Sequence, residues 1–145
     1  MHRRDFIKSS CGLCVALGSG ALVSALLESC GTSLSVLKTT ALNNVITIPL
    51  ADFQQDSFKM VRVSNYNYDL AVQKQADGSY LALVLMCTHA HHSLTKTGDS
   101  YYCSLHGSQF ANTGQVKKGP AEKNLIRLPV HSSDTQLSIT LLPAG

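Results

Sequence analysis

The sequence predicts an all-β domain, and three observations carry that reading. Beyond residue 44 the chain is a series of short β-branched and apolar runs separated by turn residues, at 45–50, 58–64, 68–75, 80–87, 100–103, 125–131 and 136–142. Their length and composition suit strands. No segment carries the apolar stripe of an amphipathic helix. Between two of the runs lies Ala76-Asp77-Gly78-Ser79, whose Asp-Gly step joins 68–75 to 80–87 as a hairpin. Two connections, 88–99 and 104–124, read as irregular loops and are long for hairpins. Long loops in a small domain usually carry function.

Composition narrows the classes. The chain has 145 residues, 12 Lys+Arg against 9 Asp+Glu, a formal charge of +3 and only 14% charged residues. That length holds one domain with a modest core, and the near-neutral balance without basic clusters gives no footprint for nucleic acid. Five cysteines, Cys11, Cys14, Cys30, Cys87 and Cys103, are odd in number and scattered, which is not the arithmetic of a disulfide scaffold.

The N-terminal part reads as an address, and three segments result: a signal or anchor over 1–29, a Ser/Thr/Asn-rich tether over 30–43, and the folded domain over 44–145. A cationic head with Arg3, Arg4 and Lys8 precedes an uncharged Gly/Ser/Ala-rich run over 9–27, the layout of an export signal. Arg3-Arg4-Asp5-Phe6-Ile7-Lys8 resembles the twin-arginine signal, which exports folded proteins and so suits a cofactor inserted in the cytoplasm. Leu26-Leu27-Glu28-Ser29-Cys30-Gly31 looks like a bacterial lipobox in which Cys30 is lipidated, although Glu28 fits it poorly. A competing reading keeps 9–27 as an uncleaved span of a bilayer roughly 30 Å thick. Either way the domain is expected outside the cytoplasm, in the bacterial cell envelope and held to the membrane. Cys11 and Cys14 are CxxC by spacing but lie inside the apolar run and read as filler.

The remaining cysteines open the two long loops, each with a histidine close behind: Cys87-Thr88-His89, then, after thirteen residues, Cys103-Ser104-Leu105-His106. Two residues of extended chain span about 7 Å, so thiolate and imidazole from one loop can reach different atoms of a compact site. Two thiolates with two imidazoles suit one tetrahedral zinc, or a two-iron cluster with the cysteines on one iron and the histidines on the other. Spacing alone leaves both open.

The flanking residues narrow it. The two boxes, with Gly107-Ser108-Gln109-Phe110 after the second, then Gly114 and Gly119-Pro120-Ala121, resemble the two boxes and proline loop of Rieske iron-sulfur proteins. The resemblance implies stacked antiparallel sheets with a cluster-binding subdomain formed by the two loops, and one 2Fe-2S cluster. It puts Cys87 and Cys103 on the buried iron, His89 and His106 on the outer one, and the Ser108 hydroxyl on a bridging sulfide. It also implies electron transfer from a quinol or redox partner to a b-type or c-type cytochrome or a redox enzyme. Replacing two thiolates by imidazoles makes the oxidised site neutral, which raises potentials from around −400 mV into a window of roughly −150 to +300 mV.

The sequence departs from the quinol-oxidising branch at three places. His92 and Leu105 stand where that branch has a second pair of cysteines forming a disulfide, and Phe110 where it commonly has a tyrosine. Fewer donors to the cluster point to the lower half of the window. The missing brace favours a separate tethered carrier over the iron-sulfur subunit of a quinol-cytochrome c oxidoreductase, while the Gly119-Pro120-Ala121 turn points back to the subunit. A structural zinc module is the reading from a different class. A ring-hydroxylating oxygenase is discounted for want of a second domain with a 2-His-1-carboxylate site. His91 and His92 read as solvent-facing, His131 as structural, Tyr101 and Tyr102 as strand core. Lys117, Lys118 and Lys123 form a small basic patch by the proline loop, either a solvated face or a guide for an acidic partner.

Overall fold

The computed structural model describes residues 34–142. It contains twelve strands and one 3-10 turn: β1 Val36–Thr39, β2 Val45–Pro49, the turn Leu50–Phe53, β3 Phe58–Val63, β4 Leu70–Lys74, β5 Tyr80–Val84, β6 Thr95–Thr97, β7 Ser100–Tyr102, β8 Gln109–Ala111, β9 Val116–Lys118, β10 Arg127–Leu128, β11 Val130–Ser132 and β12 Gln136–Thr140. They form a five-stranded sheet in the order β1-β3-β4-β5-β10, a three-stranded sheet β11-β12-β2 and a four-stranded sheet β6-β7-β8-β9. Among the described residues no helix is long and apolar enough to cross a membrane.

The middle sheet is covered on both faces, and its sequence shows why. In β4 and β5 the runs Leu70-Ala71-Val72 and Ala82-Leu83-Val84 are continuously apolar, the mark of strands buried on both sides. Leu70, Val72, Ala82 and Val84 join Ile46, Ile48, Val61, Leu137 and Ile139 in one core against the three-stranded sheet. Ala71, Leu83 and Leu85 face the other way, into a second core with Tyr101, Phe110, Cys87 and Cys103. Each fully buried aliphatic side chain contributes about 1.5–3 kcal/mol. The second core therefore ties the cysteines to the rigid centre of the fold. Gly114 closes that core: a Cβ there would meet Leu83 Cδ2 at 2.9 Å, and its φ of +85° suits glycine alone.

The expected hairpin is present, with Lys74 opposite Tyr80. Gly78 takes a φ of +84° and Asp77 Oδ1 accepts the Ser79 N–H at 2.9 Å, which is the local chemistry an Asp-Gly turn supplies. Several elements differ from expectation. The stretch 125–131 is two strands, because Pro129 has no N–H for a ladder and the chain changes sheets there. The two loops read as irregular contain β6, β8 and β9, each three residues and too short to show a period. Val36–Thr39, within the stretch expected as a tether, pairs in parallel with β3 from Val36↔Met60 to Thr39↔Val63. The signal or anchor segment with Cys30 lies outside the described residues.

Candidate metal centre

Cys87 follows β5 and Cys103 follows β7, so each starts a loop leaving the second core. The loops share one backbone design. The Cys87 N–H donates to His92 O at 2.8 Å and the His91 N–H to Cys87 O at 2.8 Å. Likewise the Cys103 N–H donates to Ser108 O at 2.9 Å and the Gly107 N–H to Cys103 O at 3.0 Å. Each cysteine thus closes a six-residue turn. The fifth residue of each turn has positive φ, +51° at His91 and +80° at Gly107.

These turns bury the sulfurs and expose the imidazoles. Cys87 and Cys103 are fully buried and free, and both belong to the second core. Burial pushes the Cys87 thiol up, but the backbone N–H groups of His89 and Ala90, helped by the Cys103 thiol and Ser108 hydroxyl, outweigh it and leave it below the usual thiol range. His89 and His106 are exposed, with ring centroids 5.0 Å apart and planes at 79°. Of the four sequence-predicted donors, Cys87 and Cys103 share the second core and His89 and His106 lie against each other. Among the described residues no three His, Cys, Asp or Glu side chains gather on a single point that would hold one metal ion. The donors come as a buried sulfur pair and an exposed nitrogen pair, which fits a group with two metal centres better than a lone tetrahedral ion.

The proline loop forms a third wall. Buried Ser108 accepts the Ala121 N–H on its Oγ at 3.1 Å, and Thr88 Oγ1 donates to Lys123 O at 2.6 Å, so this loop is tied to both boxes. Beside His89 it leaves an open groove of about 470 Å³ lined by Thr88, His89, Pro120, Glu122 and Lys123. The Tyr68 hydroxyl, in the connection between β3 and β4, holds the first box by donating to His91 O at 2.9 Å.

His91 and His92 are exposed, and His92 Nε2 lies 3.3 Å from Ser104 Oγ in the second box, a contact spacing did not reveal. Leu105 is exposed, Phe110 and Tyr101 are fully buried, and Tyr102 lies at the surface instead of in the core because successive strand residues face opposite sides. Tyr101 Oη has no hydrogen-bond partner, and burial pushes its pKa up to about 12. His131 sits exposed on β11, and Lys117, Lys118 and Lys123 are exposed.

Known proteins resemble this chain in sequence and in fold. The family model of the Rieske [2Fe-2S] domain matches residues 43–132. The ubiquinol-cytochrome c reductase iron-sulfur subunit of Rickettsia typhi is 26% identical, covering 94% of this chain and 92% of that protein. The subunit of the same name from Bradyrhizobium diazoefficiens is also 26% identical, covering 94% and 93%. Among solved structures, the plasma membrane Rieske protein of the cyanobacterium Synechocystis shares the fold, with a TM-score of 0.53 and 22% identity over 66% of this chain and 98% of that one. By the family match, the donor set and the fold, the chain belongs to the Rieske [2Fe-2S] family of electron-transfer proteins and its cofactor is one 2Fe-2S cluster.

Proposed function

We propose that this protein is a membrane-tethered electron carrier in which Cys87 and Cys103 hold the inner iron and His89 and His106 the outer one. The observation that carries the proposal is the exposed His89–His106 pair, 5.0 Å between ring centroids, each imidazole following a fully buried cysteine in its own loop. When bound, the cluster supplies one-electron chemistry. The chain supplies the rest. Buried cysteines keep sulfur away from water, and hydrogen bonds around Cys87 favour its thiolate as a ligand. The exposed imidazoles present their outer ring nitrogens to a partner, able to hydrogen-bond it or hold a proton. The groove beside His89 leaves room for a flat donor such as a quinol head.

The address at the N-terminus supports export with the domain outside the cytoplasm, held by lipidated Cys30 or by an uncleaved span over 9–27. On this reading the electron comes from a quinol or redox partner and passes to a cytochrome or an oxidoreductase. A second reading makes the chain the iron-sulfur subunit of a quinol-cytochrome c oxidoreductase. Similarity to subunits of that name along 92% or more of their length favours it.

Detergent extraction of the full chain from membranes, with iron, acid-labile sulfide, zinc and haem counted, tests both. Two irons and two sulfides per chain without haem are expected for the carrier, and haem b in fixed proportion for the subunit. One zinc per chain and no colour would overturn the electron-transfer role. Loss of membrane attachment in Cys30→Ala would identify the lipid anchor, and retention would favour the span.

A further inference from the structure

Each box is closed by its own backbone hydrogen bonds, and further hydrogen bonds hold the two boxes in place. Tyr68 joins the first box to the connection between β3 and β4, and Thr88 and Ser108 tie the first and the second box to the proline loop, an indirect link between them. Among the described residues, the hydrogen bond that joins box to box without using a thiol is Ser104 Oγ to His92 Nε2, at 3.3 Å. Its ends are well placed. His92 is the residue whose carbonyl receives the Cys87 N–H, and Ser104 is the neighbour of Cys103. The link therefore connects the far end of one six-residue turn to the start of the other, and the two candidate imidazoles ride on those turns.

We infer that His92 is a positioning residue, whose hydrogen bond with Ser104 clamps the two boxes so that His89 and His106 keep the spacing one iron requires. The inference rests on the cluster assignment proposed above. It gives this chain a polar clamp where a second cysteine pair is missing, since Cys87 and Cys103, both assigned to the cluster, are the two cysteines of the described domain. Both partners are exposed, so the bond competes with water and its effect is graded.

The test uses the full-length, cluster-loaded chain and four variants: His92→Ala, Ser104→Ala, the double variant, and Ser104→Thr, which keeps a hydroxyl. Two readouts are independent of activity: the rate of cluster bleaching by an iron chelator, and the line width of the reduced protein's EPR signal. Each alanine variant is expected to bleach about two- to fivefold faster with a broadened signal, and the double variant no faster than the worse single one. Ser104→Thr should stay near the parent. Unchanged bleaching, effects that multiply in the double variant, or bleaching that merely follows a lowered melting temperature would overturn the clamp. A parent protein carrying zinc in place of two irons would overturn the cluster assignment and the clamp together, whereas a two-iron parent with unmoved variants would overturn the clamp alone.

Discussion

His91 and Gly107 hold the same place in two turns of matching design: each donates its N–H to the carbonyl of the cysteine four residues earlier, at 2.8 and 3.0 Å, and each has positive φ. Only one of them is a glycine. A left-handed conformation costs an L-residue roughly 1–2 kcal/mol, partly offset by the greater freedom glycine has in the unfolded chain. His91→Gly should therefore stabilise the domain by about 0.5–1 kcal/mol in urea unfolding. Gly107→Ala should cost about 1 kcal/mol from backbone strain alone, since a Cβ there meets nothing within 4 Å.

Tyr101 is expected to behave as a buried phenol with nothing to bond. Removing the hydroxyl in Tyr101→Phe leaves no partner unsatisfied, so stability should hold or rise by up to about 1 kcal/mol. Its pKa, raised from 10.0 to about 12, sets the sign of a pH effect. Below pH 10 the phenol is neutral folded or unfolded, and the stability is fully present. Above that the unfolded form ionises first, so stability falls as pH rises from 10 to about 12. Ultraviolet titration should show one of the five tyrosines ionising near 12, and Tyr101→Phe should abolish both effects.

Ser108 and Phe110 should move the reduction potential in opposite directions. Ser108→Ala removes a hydroxyl that favours the Cys87 thiolate and leaves the buried Ala121 N–H without an acceptor. The potential should drop and stability should fall by about 1–3 kcal/mol. Phe110→Tyr introduces a hydroxyl into the core that holds both cysteines, and a new bond to sulfur would raise the potential by about 60 mV, the one-electron equivalent of ~1.4 kcal/mol. Protein-film voltammetry reads both shifts, and a Phe110→Tyr variant at the parent potential would show that the new hydroxyl does not reach the cluster.

Much of this was legible before the fold was known, for physical reasons that differ by residue. Cys87, His89, Cys103 and His106 stand out because metal ligation demands particular side chains at short spacing. The β4–β5 hairpin stands out because an Asp-Gly turn has its own chemistry. The strands β6, β8 and β9 do not, since three residues cannot display a two-residue period. The edge strand β1 was hidden because its residues alternate between half-buried and exposed, leaving no apolar run to read. The matching turns were hidden for another reason. Their hydrogen bonds are backbone to backbone, and one of their two positive-φ positions carries a histidine where glycine would have signalled it. The His92–Ser104 contact spans twelve residues between two loops and leaves no local pattern.

The low-temperature EPR spectrum of the reduced full-length chain, taken with nitrogen hyperfine spectroscopy on the parent, His89→Ala and His106→Ala, tests the central claim most directly. The account predicts a rhombic Rieske-type signal coupled to two imidazole nitrogens in the parent, lost in both variants while far-UV circular dichroism still reports the β fold. A signal that survives either substitution, or a parent with no imidazole coupling, would contradict it.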